Sequence, residues 1–193
     1  MAIAINGTGT ITGISAGGIS NTKAIASAAM PAGAVIQNIQ STKTDVFSTQ
    51  SQSLVDIDGT DQAGSGSIWC VKITPASSSN KILFQWSVGI GSNQSYSTMV
   101  AFRDSTELIK GDASGSMSRA TGGSYIGGTG HVYNTAGAFL DSPSSTSELT
   151  YKLKCANPYS SGYYTVINRS HTSTDASHNN ITASMLTVSE IVG

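Results

Sequence analysis

Three clusters and one aromatic run in this chain carry residue types capable of chemistry. Gly13-Ile14-Ser15-Ala16-Gly17 has the Gly-x-Ser-x-Gly spacing of a nucleophile elbow, which lifts a serine hydroxyl over an α/β sheet on a strained strand-to-helix turn. The flanking residues supply no alternating strand and helix, and in a chain with 32 serines and 21 glycines the pattern arises by chance, so Ser15 reads as a turn residue. Asp56-Ile57-Asp58-Gly59-Thr60-Asp61 brings three carboxylates together, as a hard cation such as calcium requires. Glycine stands fourth rather than sixth, however, and Ser67 holds the twelfth position, where a bidentate glutamate belongs. The segment reads instead as an Asp-Gly turn between strands, with Gly59 at positive φ. His171, Asp175 and His178 place two imidazoles and a carboxylate in one stretch, where a solvated turn is expected before a metal site. No metal or cofactor is expected.

Tyrosine is the more telling residue. Tyr159, Tyr163 and Tyr164 surround Ser160-Ser161-Gly162, and a tyrosine offers a flat apolar face with a hydroxyl at low entropy cost, suited to sugar rings or protein partners. If Tyr163–Ile167 is a strand, one of Tyr163 and Tyr164 turns into the core, which leaves Tyr159 as the exposed ring. Gly111–Gly130 lacks clear periodicity and holds Met117, Arg119 and Tyr125 among small residues, as a functional or mobile loop would. The candidate contact residues are therefore Arg119, Tyr125, Tyr159 and His171. Paired acids for glycoside hydrolysis find little support, because Glu148 and Glu190 fall within strands and read as structural. The chain is read as a non-enzyme.

The elements that position these residues are strands. The 193 residues carry a net charge of -1 and only 11% charged side chains, which excludes the basic footprint of a nucleic-acid binder, while 38% hydrophobic residues suffice for one core. Serine and threonine exceed a quarter of the chain. No apolar run approaches the roughly 18 residues of a membrane span, and Met1-Ala-Ile-Ala-Ile-Asn6 lacks a basic signal-peptide start, so synthesis in a cytosol without signal-directed export is expected. From Ala34 onward short strands alternate with polar turns: 35–39, 44–48, 54–57, 68–74, 81–90, 97–103, 107–109, 131–133, 136–140, 148–155, 163–167 and 183–191. The clearest is 81–90, where Ile82, Phe84, Trp86, Val88 and Ile90 form one inner face. So many strands need two packed sheets, and an antiparallel jelly-roll-like β-sandwich is predicted over 31–193, with the Pro-Ser loops 75–80 and 143–147 as architectural turns. In 68–74 the set Trp69, Val71 and Ile73 faces in and turns Cys70 out, whereas Cys155 shares the apolar face of Leu149, Tyr151 and Leu153. That parity favours two unpaired thiols over a disulfide.

Residues 1–30 differ. They contain one charge, Lys23, no aromatic, and isoleucines at 3, 5, 11, 14, 19 and 25, too few large side chains to bury themselves. Two short strands broken at Asn6-Gly7 and Gly13 are expected, then one or two helical turns over 23–30 closed by Pro31 and Gly33. This β arm is expected to dock on another chain through Ile3, Ile5, Ile11 and Ile14.

Several segments, weak singly but specific as a set, carry a family resemblance across most of the chain: Met1–Ser15, Ser41–Asp45, Ile73–Pro75 with Ser77–Leu83, Leu140–Pro143, Thr150–Leu153, Ile167–Arg169 and Leu186–Ile191. With these the chain resembles the tail-fibre-like virion proteins of marine and cyanobacterial tailed phages. The resemblance implies a homotrimeric virion component, docked on other tail or baseplate proteins by its N-terminal arm, whose β head binds host surface glycan. Cys70 and Cys155 depart from the pattern, and the short linker after Gly18 argues against a long-reaching fibre. A capsid decoration or baseplate-adaptor protein without receptor binding shares the same arm and sandwich. Neither nucleic acid nor membrane insertion enters this expectation.

Overall fold

The computed structural model describes residues 30–172, 174, 177 and 179–193. Ile3, Ile5, Ile11, Ile14, Ser15, the 23–29 segment, Asp175 and His178 therefore lie outside the described residues. Twelve strands follow in chain order: β1 (Val35–Lys43), β2 (Phe47–Thr49), β3 (Val55–Asp56), β4 (Cys70–Ile73), β5 (Lys81–Ser92), β6 (Tyr96–Arg103), β7 (Thr106–Glu107), β8 (Gly122–Tyr125), β9 (Val132–Asp141), β10 (Leu149–Ala156), β11 (Thr165–Ile167) and β12 (Ser184–Ile191). No helix occurs among the described residues, so none there is long and apolar enough to cross a membrane.

The strands form two antiparallel sheets, each four columns wide. In the first, β1 and β2 line one edge, β12 and β11 come next, then β5, and β9 closes the other edge. In the second, β4 and β3 share an edge, followed by β10, β6, and an edge shared by β7 and β8. The chain changes sheet at six of its eleven strand-to-strand steps and returns last to a column beside its first, in an antiparallel β-sandwich.

The core forms because β5 alternates so cleanly. Ile82, Phe84, Val88 and Ile90 are fully buried and Trp86 nearly so, and they meet Met99, Ala101, Tyr151, Leu153 and Cys155 of the second sheet in one cluster. The Phe84 ring lies 5.4 Å from that of Tyr151, an aromatic pair that joins the layers. Gly137 sits where the Trp86 indole crosses β9, and a Cβ there would collide with the ring. At one end Asp141 of β9 accepts hydrogen bonds from the Arg103 guanidinium (2.6 Å) and the Tyr151 hydroxyl (2.8 Å), a charged tie between the sheets. Burial, and then Asp141, hold the Tyr151 phenol well above its ordinary pKa. Glu190, fully buried on β12, accepts from Gln37 Nε2 (2.7 Å), Ala76 N (2.7 Å) and Asn80 Nδ2 (2.6 Å). It thereby fastens the Pro-Ser loop 75–80 as an architectural turn.

Three expectations change. The strands expected at 131–133 and 136–140 are one, β9, because β5 pairs with it without interruption. The stretch Gly111–Gly130 contains the strand β8, paired with β6. Cys70 does lie on the face of β4 opposite Trp69 and Val71, but it is only 4% exposed, because the segment around Ser65–Ile68 covers it.

Both cysteines are free, on opposite faces of one sheet: Cys70 pairs with Lys152, whereas Cys155 stands with Leu153 on the core side. Desolvation raises both thiols, that of Cys155 to about 12. A thiol whose pKa is raised by folding contributes stability that is complete below its unfolded value, about 8.5, and lost as pH rises toward the folded one. Native protein at pH 8 is expected to resist a thiol reagent at both positions and to titrate two thiols per chain in urea. Its stability is expected to decline from about pH 9 upward. Rapid labelling of Cys155 in the native state would contradict this packing.

Candidate functional site

The second sheet ends in a cluster of tyrosines. Tyr96 opens β6 and Tyr125 closes β8, and the register sets them directly opposite each other, ring centroids 5.0 Å apart. Directly opposed aromatics on neighbouring strands are a stabilising cross-strand pair. Tyr159, in the loop after β10, lies 5.9 Å from Tyr96, and Tyr163 meets Tyr159 edge-on at 5.1 Å. The result is a continuous arc, Tyr125–Tyr96–Tyr159–Tyr163. Its first three members are 50–60% exposed, far more than an aromatic core would allow. Tyr163 and Tyr164 are both half-buried in the loop, because the strand there begins only at Thr165, so neither enters the core.

Beside the arc runs a groove of about 730 Å³, lined by Tyr96, Tyr125 and Tyr159 together with Asp112, Met117 and Arg119, with Gly122 and Gly123 also in its lining. The Arg119 wall belongs to a loop tied to itself: Gly111 N donates to Ala120 O (3.0 Å), Arg119 Nε to Gly111 O (2.7 Å) and Met117 N to Ser114 O (3.1 Å). At its base the Thr121 hydroxyl donates to Ile109 O and accepts from Ala101 N. A loop closed on itself in this way is compact despite its glycines.

Buried amides hold the arc from beneath. Asn157, fully buried, accepts through Oδ1 from Tyr159 N (3.1 Å) and Ser95 Oγ (3.3 Å), while its own N–H donates to Ser51 O (2.8 Å). Asn93 accepts from Tyr164 N (2.7 Å) and donates to Gly162 O (3.2 Å), pinning the loop to the β5–β6 turn. Ser97 and Thr165 share a buried hydroxyl contact of 2.9 Å, and Thr165 Oγ1 also bonds Ala156 O (3.0 Å). The tyrosine loop thus rests on the buried Asn157 and Thr165 and the half-buried Asn93, which position it more tightly than exposed groups would.

Of the four contact residues expected from sequence, the structure brings Arg119, Tyr125 and Tyr159 to one groove. His171 is not among its lining; its half-buried ring stacks on Tyr164 at 5.0 Å. Tyr96, the arc's central ring, escaped the sequence reading, as did Asn93 and Asn157. The signal for Tyr96 was its place at the head of an otherwise buried strand.

The aspartate cluster is engaged elsewhere. Asp56 pairs with Lys152 (2.8 Å) and Lys154 (3.6 Å), and Asp58 gives its carbonyl to the buried Lys43 ammonium (2.6 Å). Asp61 accepts from Ser65 N and Ala63 N and lies 3.2 Å from Lys72 Nζ. The Ser65 backbone bond chiefly, with Lys72 and Ala63, holds the Asp61 carboxyl below its ordinary pKa. The expected Asp-Gly turn is not where the chain reverses: Asp58 bridges to Ile68, and Gly59, at φ +153° beneath Trp69, donates across to Ser67 O (3.3 Å), while the turn falls at Asp61–Gly64, where Gly64 N donates to Asp61 O (3.0 Å). Among the described residues no three of His, Cys, Asp and Glu converge as a ligand set. The chain matches no protein-family model and no curated protein.

Replacing Asn157 with alanine removes the acceptor of Tyr159 N and Ser95 Oγ. The Asn157→Ala variant is expected to lose about 1–3 kcal/mol in urea unfolding and to speed amide hydrogen exchange over 158–164 before that of β5 and β10. Unchanged exchange in that loop would show that Asn157 is not its anchor.

Proposed function

We propose that this chain is a non-enzymatic phage virion protein, a short tail fibre or adhesin. In this reading it is trimeric, docks on the tail through Ile3, Ile5, Ile11 and Ile14 of its N-terminal arm, and binds host surface glycan with its β head. The observation that carries the reading is the arc of half-exposed tyrosine rings along one groove. A solvent-exposed aromatic plane with neighbouring hydroxyl and amide groups suits the apolar face and polar rim of a sugar ring. Single contacts of this kind are weak, and several copies on one particle convert them into avidity. The resemblance of the sequence to tail-fibre-like proteins points the same way.

A second reading, a decoration or adaptor protein, has its own observation. The outer face of the first sheet, with Gln40, Gln85, Ser87, Ala138, Leu140 and Thr187 upon it, carries a single charged side chain, Lys81 at the start of β5, over the paired stretches of β1, β12, β5 and β9. Depletion of charge marks the centre of protein interfaces, and an adaptor would use that face in place of the groove.

The full-length protein displayed densely on beads is expected to retain host cells. Tyr159→Ala is expected to weaken each site about fivefold and the bead as a whole far more. Absence of retention at high display density, with particles still infective after deletion of the protein, would overturn the adhesin reading. Retention lost on Ala138→Glu and untouched by Tyr159→Ala would favour the sheet face.

A further inference from the structure

The groove holds one cation and one anion, and neither is engaged in an ion pair. Among the described residues Lys43, Lys72, Arg103, Lys110, Lys152 and Lys154 each have a carboxylate partner within 4 Å, whereas Arg119 and Asp112 have none. Arg119 is also held in place. Its Nε donates to Gly111 O at 2.7 Å, which fixes the guanidinium plane against its own loop and leaves the two terminal NH2 groups for another acceptor. A planar guanidinium fork matches a carboxylate in bidentate geometry, and prior fixing lowers the entropy cost of using it. In the same groove Tyr96, Tyr125 and Tyr159 offer stacking faces with no charge among them.

We propose that the groove selects an oligosaccharide in which one carboxylated sugar is flanked by neutral ones, the carboxylate on Arg119, a neighbouring hydroxyl on Asp112, and the neutral rings on the tyrosines. This rests on the glycan-binding reading and adds the class of sugar. A densely anionic chain does not fit: one guanidinium meets one carboxylate, and Asp112 repels a second negative group in the same groove. The same balance separates carboxylate from sulfate, because extra sulfates bring charge that the groove does not answer.

The test uses the full-length protein and three hexasaccharides of one backbone, followed by NMR titration or calorimetry: unsulfated chondroitin, its carboxyl-reduced form, and its sulfated form. The unsulfated acid is expected to bind about three- to tenfold tighter than the carboxyl-reduced form, and the sulfated form no tighter than the unsulfated. Arg119→Gln is expected to remove that preference, and Arg119→Lys to restore part of it. Tyr159→Ala is expected to weaken acid and reduced forms alike. Equal binding of acid and reduced forms by the wild type, or tighter binding of the sulfated form, overturns the carboxylate assignment and leaves glycan binding standing. If no hexasaccharide binds while beads still retain cells in a Tyr159-dependent way, the sugar class is wrong. If no hexasaccharide binds and retention also fails, both readings fall.

Discussion

A fully buried carboxamide, that of Asn157, links the sandwich to the surface on which the functional reading rests. One side-chain oxygen accepts from the backbone of Tyr159 and from the β5–β6 turn at Ser95, and the residue's own N–H reaches Ser51 across the end of the sheets. A buried acceptor bonded from several segments positions them more firmly than an exposed one, because water offers no substitute partner; the Nδ2 of the same side chain is buried without a partner among the described residues. Without it Tyr159 would hang on a loop of Pro, Ser and Gly, and the three exposed rings would no longer share one arc. The loop that carries Tyr159 is thus anchored by buried hydrogen bonds.

The rest of the molecule divides its surfaces by charge. The second sheet carries Lys72, Lys152 and Lys154, paired with Asp56 and Asp61, and Lys154 also lies over the Phe102 ring at 5.1 Å. The outer face of the first sheet carries only Lys81, at the start of β5, over its paired stretches. Two buried carboxylates are engaged by donors: Asp141 with Arg103 and Tyr151, Glu190 with three donors. A buried carboxylate is tolerable only when its lone pairs are satisfied, and both sit where a loop or a neighbouring strand must be held to the sandwich. These two buried carboxylates therefore sit at joints of the sandwich.

Much of the fold was legible because it depends on period two. Ile82 through Ile90 fixes which face of β5 is inner, and the partners of that face in β10 and β12 show the same alternation. The strand β8 was not legible, since Gly122-Gly123-Ser124-Tyr125 has no apolar alternation; a Cβ at Gly123 would meet Ser97 O, so backbone approach rather than hydrophobicity selects its residues. Cys70 shows a similar limit. Parity placed it on the outer face, but the covering segment lies outside its own strand and only the folded chain reveals it. Residue type nominated Arg119, Tyr125 and Tyr159 one at a time. Their meeting with Tyr96 depends on strand order, which local pattern does not encode, and His171 was nominated on the same grounds and stands elsewhere.

Hydrogen exchange on the full-length protein, with and without polysaccharide from a cell envelope to which it adheres, tests the central claim most directly. The account predicts added protection over 96–98, 111–125 and 157–163, with 134–140 and 185–189 unchanged. Protection confined to those last two segments would place recognition on the outer face of the first sheet and contradict the tyrosine groove.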